Sequence, residues 1–202
     1  MSVRYSTVIL LFVIGFLSGC ETSTQSDAVE PASSSPQTSS EQTSSALPVQ
    51  VVYANLNEIE QYRATLKGKV VVIDLWSTWC LSCLREFPNF VELQREFPKE
   101  VVCISVNLNY EGLPDEPPQT YGDEILEQLQ KFDANLVNYI CTDESEAVYK
   151  KLEFDSLPAV FLYDKEGNLV KRFDNSQLES PDDEFTYKKD VIPQVKALVD
   201  SK

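Results

Sequence analysis

The run Val70–Trp76 (VVVIDLW) constrains the fold of this 202-residue chain more than any other segment. Almost every side chain in it is apolar, which is typical of a central strand covered on both faces. From Val49 onward, strand-like runs alternate with helical ones, and the short turn Lys165–Asn168 joins the last two strands into a hairpin. We therefore predict an α/β domain over residues 49–202, with a mixed central sheet and helices on both faces.

The bounds of the other elements follow from hydrophobic periodicity and turn residues. The predicted strands besides Val70–Trp76 are Val49–Tyr53, Val101–Asn107, Asn138–Thr142, Ala159–Asp164 and Leu169–Phe173. The predicted helices are Asn57–Leu66, Cys80–Phe97, Asp123–Leu136, Glu144–Leu152 and a last one from about Phe185 to Leu198. Pro88 should kink the second helix, and Pro193 should bend or break the last.

The N-terminal segment has the features of a secretion signal. Arg4 precedes an apolar run, Val8–Leu17, that is too short to span a bilayer. Leu17-Ser18-Gly19-Cys20 resembles the bacterial lipobox, so we expect residues 1–19 to be a lipoprotein signal peptide and Cys20 to carry lipid. An ordinary secretory signal that happens to end in cysteine is the alternative. Residues 20–48, rich in serine, threonine and proline, are predicted to be a disordered linker. The domain would then sit outside the cytoplasm, in the periplasm or on the outer face of the cell membrane, tethered by its lipid anchor.

Composition excludes several classes of function. Acidic residues outnumber basic ones 32 to 17, a formal charge of −15, so we expect no nucleic-acid partner. The chain has no histidine, which excludes hydrolases that depend on a histidine base and metal or haem sites held by histidine.

The motif that carries chemistry is Trp79-Cys80-Leu81-Ser82-Cys83, placed between the buried strand and a helix. Free N–H groups and the helix dipole favour a thiolate at Cys80, the predicted nucleophile. Cys83 lies deeper and is predicted to resolve a mixed disulfide by attacking Cys80. Zinc or iron–sulfur sites need further ligands, whereas the other mature cysteines, Cys103 and Cys141, are isolated. We therefore expect neither a metal nor another cofactor.

Two acids near this motif are candidate proton acceptors for Cys83. Asp74 lies in an otherwise apolar strand, where desolvation should raise its pKa. Glu86 follows Cys83 by about one helical turn and could share the role. A structural acid bonded to a loop is the alternative for Asp74, and a solvated or capping carboxylate is the alternative for Glu86. Of the two tryptophans, Trp76 is predicted to lie in the core, and Trp79 to be partly exposed and to cover the thiol.

The chain resembles the thioredoxin superfamily, and within it the membrane-anchored thiol–disulfide reductases of the TlpA/ResA type. The residues that carry the resemblance are the CxxC motif, Asp74, Trp76, Trp79, Glu86-Phe87-Pro88, Leu157-Pro158-Ala159-Val160-Phe161, Asp164 and Gly167. The resemblance implies a thioredoxin-like fold with an inserted helix and strand between Val106 and Cys141. It also implies a cis Leu157–Pro158 bond that presents the Leu157 backbone to an extended substrate beside Cys80.

The resemblance predicts a lipid-anchored thiol–disulfide oxidoreductase that reduces disulfides of exported proteins, for example cytochrome c apoproteins. Its electrons would come from a membrane-embedded donor protein. A peroxiredoxin-like peroxide reductase and a non-catalytic binding module with this fold are the alternatives. Ser82 departs from the family, which commonly has proline there, so the redox potential stays open. Cys103 and Cys141 are either two buried free thiols or a structural disulfide.

Overall fold

The computed structural model describes residues 48–175, 180 and 183–201. The predicted signal peptide, Cys20 and nearly all of the predicted linker lie outside the described residues. The six strands are β1 (Val52–Ala54), β2 (Val70–Trp76), β3 (Val101–Asn107), β4 (Val137–Cys141), β5 (Ala159–Tyr163) and β6 (Leu169–Asp174). The helices are α1 (Leu56–Ala64), α2 (Leu81–Glu96), α3 (Gly122–Lys131), α4 (Ser145–Leu152) and α5 (Ile192–Asp200), with a 3-10 helix at Pro118–Tyr121 and a π-helical turn at Tyr187–Val191.

The strands form one sheet in the order β1-β4-β3-β2-β5-β6. The first four in that order are parallel, β5 runs antiparallel to β2, and β6 runs antiparallel to β5. The predicted mixed sheet is confirmed, and so is the inserted helix and strand, which are α3 and β4. Because β2 lies between β3 and β5, all seven of its residues are buried, as its apolar run predicts.

Each face of the sheet is covered by helices, and this produces two hydrophobic clusters. The first cluster lies under α2, α3, the π-helical turn and α5, and contains Trp76, Cys83 and Tyr187. The second lies under α1 and α4 and contains Ile59 and Val148. Since side chains alternate along a strand, Asp74, set between Val72 and Trp76, points toward the first cluster.

Two predicted helices differ from the structure at their ends. The helix predicted to reach Leu136 ends at Lys131, because Asp133 has φ 50°, a left-handed conformation that no helix continues through. The predicted last helix is divided at Pro193, because Tyr187–Val191 form the π-helical turn and α5 begins only at Ile192. Pro193 lies in the first turn of α5, a position that proline favours. The residues before it form the π-helical turn, which becomes important at the candidate active site.

Candidate active site

The Cys80–Cys83 pair forms a disulfide at the N-terminus of α2. Cys80 is the N-cap residue, and its Sγ accepts a hydrogen bond from the Cys83 N–H at 3.2 Å. The Ser82 hydroxyl lies 3.6 Å from the same sulfur. With the disulfide open, these two donors and the positive end of the helix dipole would stabilise a thiolate on Cys80.

Exposure differs between the two cysteines as the motif predicts. Cys80 is half-buried, while only 3% of Cys83 is exposed. Trp79 is 52% exposed and Leu81 79% exposed, so two large apolar side chains flank Cys80 at the surface. Trp76, in contrast, is fully buried, and its indole N–H donates to the Ser105 hydroxyl at 2.8 Å. An incoming disulfide can therefore reach Cys80 but not Cys83.

The turn that carries Cys80 is held by the loop that follows β3. The Thr78 N–H donates to Asn109 Oδ1 at 3.0 Å, and the Asn109 amide donates to the Thr78 hydroxyl at 2.8 Å. Asn109 is itself fully buried, and its backbone N–H donates to Asn107 Oδ1 at 2.9 Å. Asn107 ends β3 and Asn109 follows it, and this position at the end of a buried strand was the available signal of a structural role near the motif, although neither asparagine was among the predicted site residues.

Asp74 lies on the first-cluster face of β2, where its carboxyl group is buried. Burial raises the pKa of Asp74 from 3.8 to about 7. The Tyr187 hydroxyl donates to Oδ2 at 2.5 Å and opposes this rise, while the nearby Glu86 charge adds to it. Oδ1 has no hydrogen-bond partner among the described residues. The predicted rise in the pKa is confirmed; the proton-accepting role stays a prediction.

Glu86 lies on α2 and only 9% of it is exposed, so the alternative of a solvated carboxylate is wrong. Its Oε2 accepts the Tyr187 backbone N–H at 3.0 Å and the Asn89 amide at 3.2 Å. Because Tyr187 begins the π-helical turn, Glu86 caps that turn from a distant helix. This contact fits the capping alternative.

Tyr187 is the main residue of the site that sequence reasoning missed. It is buried, packs its ring on Phe90, and contacts both candidate acids. It lies 113 residues from Asp74 in the chain, and no local motif marks it. Burial and the Asp74 carboxylate raise the pKa of Tyr187 well above its usual value, so its hydroxyl stays protonated and acts as a donor.

The Leu157–Pro158 bond is cis, as the resemblance implies. The β2–β5 pairing ends with Ala159 beside Leu75, so Leu157 and Pro158, which directly precede Ala159, lie at the end of β2 that leads to Cys80. Leu157 is half-buried and packs on the first cluster, as Cys80 does. The structure therefore brings the predicted substrate-binding residues Trp79, Leu157 and Pro158 to the end of the sheet that carries Cys80.

Cys103 and Cys141 are both free and buried, so of the two alternatives the free thiols are confirmed. The β3–β4 register, which pairs Ile104 with Val137, sets Cys141 about five positions, or about 16 Å, beyond the residue opposite Cys103. Their side chains also lie in different clusters, on opposite faces of the sheet. A disulfide, which needs Cα atoms within about 7 Å, is ruled out.

Within the described ranges, no group of three or more cysteine, aspartate or glutamate side chains is arranged to hold a metal ion. In the same residues, no helix is long and apolar enough to cross a bilayer.

The Redoxin family model matches residues 42–190. The chain belongs to the Redoxin family. Among its curated relatives, the thiol-disulfide oxidoreductase ResA of Bacillus subtilis is 27% identical over 116 residues, an alignment that covers 57% of this chain and 58% of ResA. ResA of Geobacillus kaustophilus is 26% identical over 163 residues, covering 80% of this chain and 79% of that protein. This Redoxin-family chain thus spans little more than half the length of the Bacillus subtilis protein.

A solved structure confirms the thioredoxin-like fold. The thiol:disulfide interchange protein of the thioredoxin family from Chlorobium tepidum superposes with a TM-score of 0.50 at 18% identity, over 67% of this chain and 83% of that one. Together with the ResA matches, this likeness confirms the resemblance of this Redoxin-family chain to the TlpA/ResA-type members of the thioredoxin superfamily.

Proposed function

We propose that this protein is a thiol–disulfide oxidoreductase that reduces disulfides of proteins outside the cytoplasm. The observation that carries the proposal is the Cys80–Cys83 disulfide at a helix N-terminus, with one sulfur accessible and the other buried. A structural disulfide would need no such asymmetry. A dithiol catalyst needs it, because one thiol must meet the substrate while the other waits behind it.

In the reduced protein, the Cys80 thiolate attacks one sulfur of a substrate disulfide. A mixed disulfide forms between Cys80 and the substrate, and the other substrate sulfur leaves as a thiolate. Cys83 then loses its proton and attacks Cys80 Sγ, which breaks the mixed disulfide and releases the second substrate thiolate. Two electrons have passed to the substrate, and the protein is left with the Cys80–Cys83 bond that the structure contains.

The Cys83 thiol is buried, so its proton needs a buried acceptor. We propose Asp74, since burial brings its pKa to about 7 and it is therefore ionised in part at neutral pH. Glu86, which is already bonded to Tyr187 and Asn89, is the second candidate. Substrate would lie against exposed Trp79 and along the Leu157 backbone beside Pro158, as an extended segment.

The proposed location rests on the N-terminal sequence. Cleavage before Cys20 and its lipidation would anchor the protein to a membrane, and a flexible linker over residues 21–48 would have an average reach of about 30 Å. Exported proteins with disulfides, such as cytochrome c apoproteins, would be substrates, and a membrane-embedded protein would return electrons to Cys80 and Cys83. Loss of radiolabelled fatty acid from a Cys20→Ser variant expressed in bacteria would support the anchor; equal labelling of both proteins would exclude it.

The activity is tested by the redox potential of the dithiol. The protein is equilibrated with dithiothreitol mixtures of known poise, alkylated, and digested with trypsin, which yields Val70–Arg85 with Cys80 and Cys83 as its only cysteines. A strongly reducing two-electron couple, together with reduction of insulin disulfides that a Cys80→Ser control lacks, is the expected result. A markedly oxidising couple would make the protein an oxidase or isomerase. No reversible couple would leave only a binding module.

A further inference from the structure

Tyr187 contacts both candidate proton acceptors through different groups. Its phenol hydroxyl donates to Asp74 Oδ2, and its backbone N–H donates to Glu86 Oε2. The ring is buried and packs on Phe90 of α2, which fixes the position of both donors. One residue of the π-helical turn therefore holds the carboxyl groups of β2 and α2 at the same time.

The two carboxyl groups differ in how fully their oxygens are hydrogen-bonded. Glu86 Oε2 already accepts two donors, from Tyr187 and Asn89. Asp74 has one oxygen bonded to Tyr187 and the other, Oδ1, buried without a partner among the described residues. An unpartnered buried carboxylate oxygen lowers the stability of the fold, so its presence calls for an explanation. Accepting a proton from the Cys83 thiol, which is packed in the first cluster, would be such an explanation.

We propose that Tyr187 is the positioning residue that makes Asp74, and not Glu86, the acceptor of the Cys83 proton. The inference rests on the proposed function. Tyr187 holds Oδ2 and leaves Oδ1, which is buried without a partner among the described residues, to accept the proton. The S–H bond of Cys83 breaks and its proton moves to Oδ1. The new thiolate attacks Cys80 Sγ, the Cys80–Cys83 bond forms, and the bond from Cys80 to the substrate sulfur breaks and releases the substrate as a thiolate. The Tyr187 proton stays on its own oxygen throughout.

Three described titratable groups act on Asp74 from the elements around it. They are Tyr187 from the π-helical turn, Glu86 from α2 and Cys103 from β3. Cys83 becomes a fourth when the disulfide opens. Burial and the Asp74 charge both raise the pKa of the Cys103 thiol, so it stays neutral. Removing the Tyr187 hydroxyl takes away the hydrogen bond that stabilises the Asp74 carboxylate, so the Asp74 titration should move to higher pH.

The test is a ¹³C NMR titration of the aspartate carboxyl groups in the oxidised full-length protein, with Asp74 assigned from an Asp74→Asn sample. In Tyr187→Phe, which keeps the backbone bond to Glu86, the Asp74 midpoint should rise by about one pH unit. The control is Tyr163→Phe, which removes a hydroxyl from a buried tyrosine of the other cluster and should leave the midpoint in place. An unchanged midpoint in Tyr187→Phe overturns the proposal.

The second measurement is the rate at which Cys83 resolves a mixed disulfide between Cys80 and a small thiol, as a function of pH. Tyr187→Phe should shift this pH profile upward in the unmodified and the Glu86→Gln backgrounds, and should have no further effect in Asp74→Asn. An equal effect of Tyr187→Phe with and without Asp74 would mean a purely structural role and overturn the proposal. If the protein reduces no disulfide at all, the proposed function fails, and the proton-acceptor assignment fails with it even where the NMR titration shows the contact.

If Tyr187→Phe does not fold, the unmodified protein still decides. The Tyr187 hydroxyl proton should give a slowly exchanging NMR signal whose chemical shift follows the Asp74 titration. A signal that does not respond to pH across that titration overturns the proposal.

Discussion

Replacing Asp74 by asparagine should destabilise the protein at low pH and stabilise it at high pH. Burial raises the pKa of Asp74 from 3.8 to about 7 in the folded protein. The folded state then binds the Asp74 proton more tightly than the unfolded state does. The contribution of Asp74 to the free energy of unfolding therefore falls as pH rises between these two values and is constant beyond them. A difference of about three pH units, at about 1.4 kcal/mol each, makes this loss about 4 kcal/mol.

Asparagine at position 74 is neutral at every pH, and its amide oxygen can still accept the Tyr187 hydroxyl. Its NH₂ group, however, would lie where Oδ1 now has no partner among the described residues, a cost of about 1–2 kcal/mol that does not depend on pH. The variant should therefore be about 1–2 kcal/mol less stable than the unmodified protein at pH 4, and about 2–3 kcal/mol more stable at pH 8. The two stability curves should cross near pH 5.

The assay is urea unfolding of the oxidised proteins, followed by tryptophan fluorescence at several pH values between 4 and 8.5. Asp115→Asn, at an exposed aspartate, is the matched control and should stay within about 0.5 kcal/mol of the unmodified protein at each pH. A stability difference between Asp74→Asn and the unmodified protein that is the same at pH 4 and pH 8 would refute the reasoning, because it would mean that Asp74 titrates normally in the folded state.

Three further outcomes follow from the site. Cys83→Ala should accumulate a mixed disulfide between Cys80 and substrate and lose multiple-turnover reduction, as seen by non-reducing gels; free turnover would remove Cys83 from the resolving step. Ser82→Ala should slow alkylation of reduced Cys80 at pH 6 by about two- to threefold, since a hydroxyl 3.6 Å from the sulfur is lost; an unchanged rate would show that this hydroxyl does not stabilise the thiolate. Mass spectrometry after alkylation should show that Cys103 and Cys141 are unmodified in the folded protein and both modified in urea. Failure to react in urea, with a mass lower by two hydrogen atoms, would reveal the disulfide that the register excludes.

Sequence reasoning reached the parts of the site that local chemistry specifies. The apolar run of β2 predicts a central strand, because a strand buried on both faces does not alternate between apolar and polar side chains. The CxxC spacing at a helix start predicts which cysteine is accessible, since one helical turn separates surface from core. The rise in the pKa of Asp74 follows from a single acid among apolar neighbours. Each of these depends on residues that are close together in the chain.

What the sequence did not reveal depends on contacts between distant segments. The helix α3 ends early because Asp133 adopts a left-handed conformation. Aspartate tolerates this conformation, but the residues around it contain no sequence signal that predicts it. Tyr187 lies in a stretch that reads as the start of an ordinary amphipathic helix. Its importance arises only when the π-helical turn packs on α2 and brings the hydroxyl to Asp74.

The cost of Asp74 and its proposed use have the same origin. A carboxyl group on the surface would keep a pKa near 4 and would be a poor acceptor for a buried thiol at neutral pH. Burial brings the pKa to about 7, where the group is both ionised in part and basic enough, and the same burial destabilises the fold. The Tyr187 bond moderates this cost, because it favours the carboxylate without occupying Oδ1. A substitution at position 74 that stabilises the fold should therefore slow the resolution of mixed disulfides. A substitution that stabilises the fold and leaves the resolution rate unchanged would show that the buried carboxyl group is not needed for catalysis.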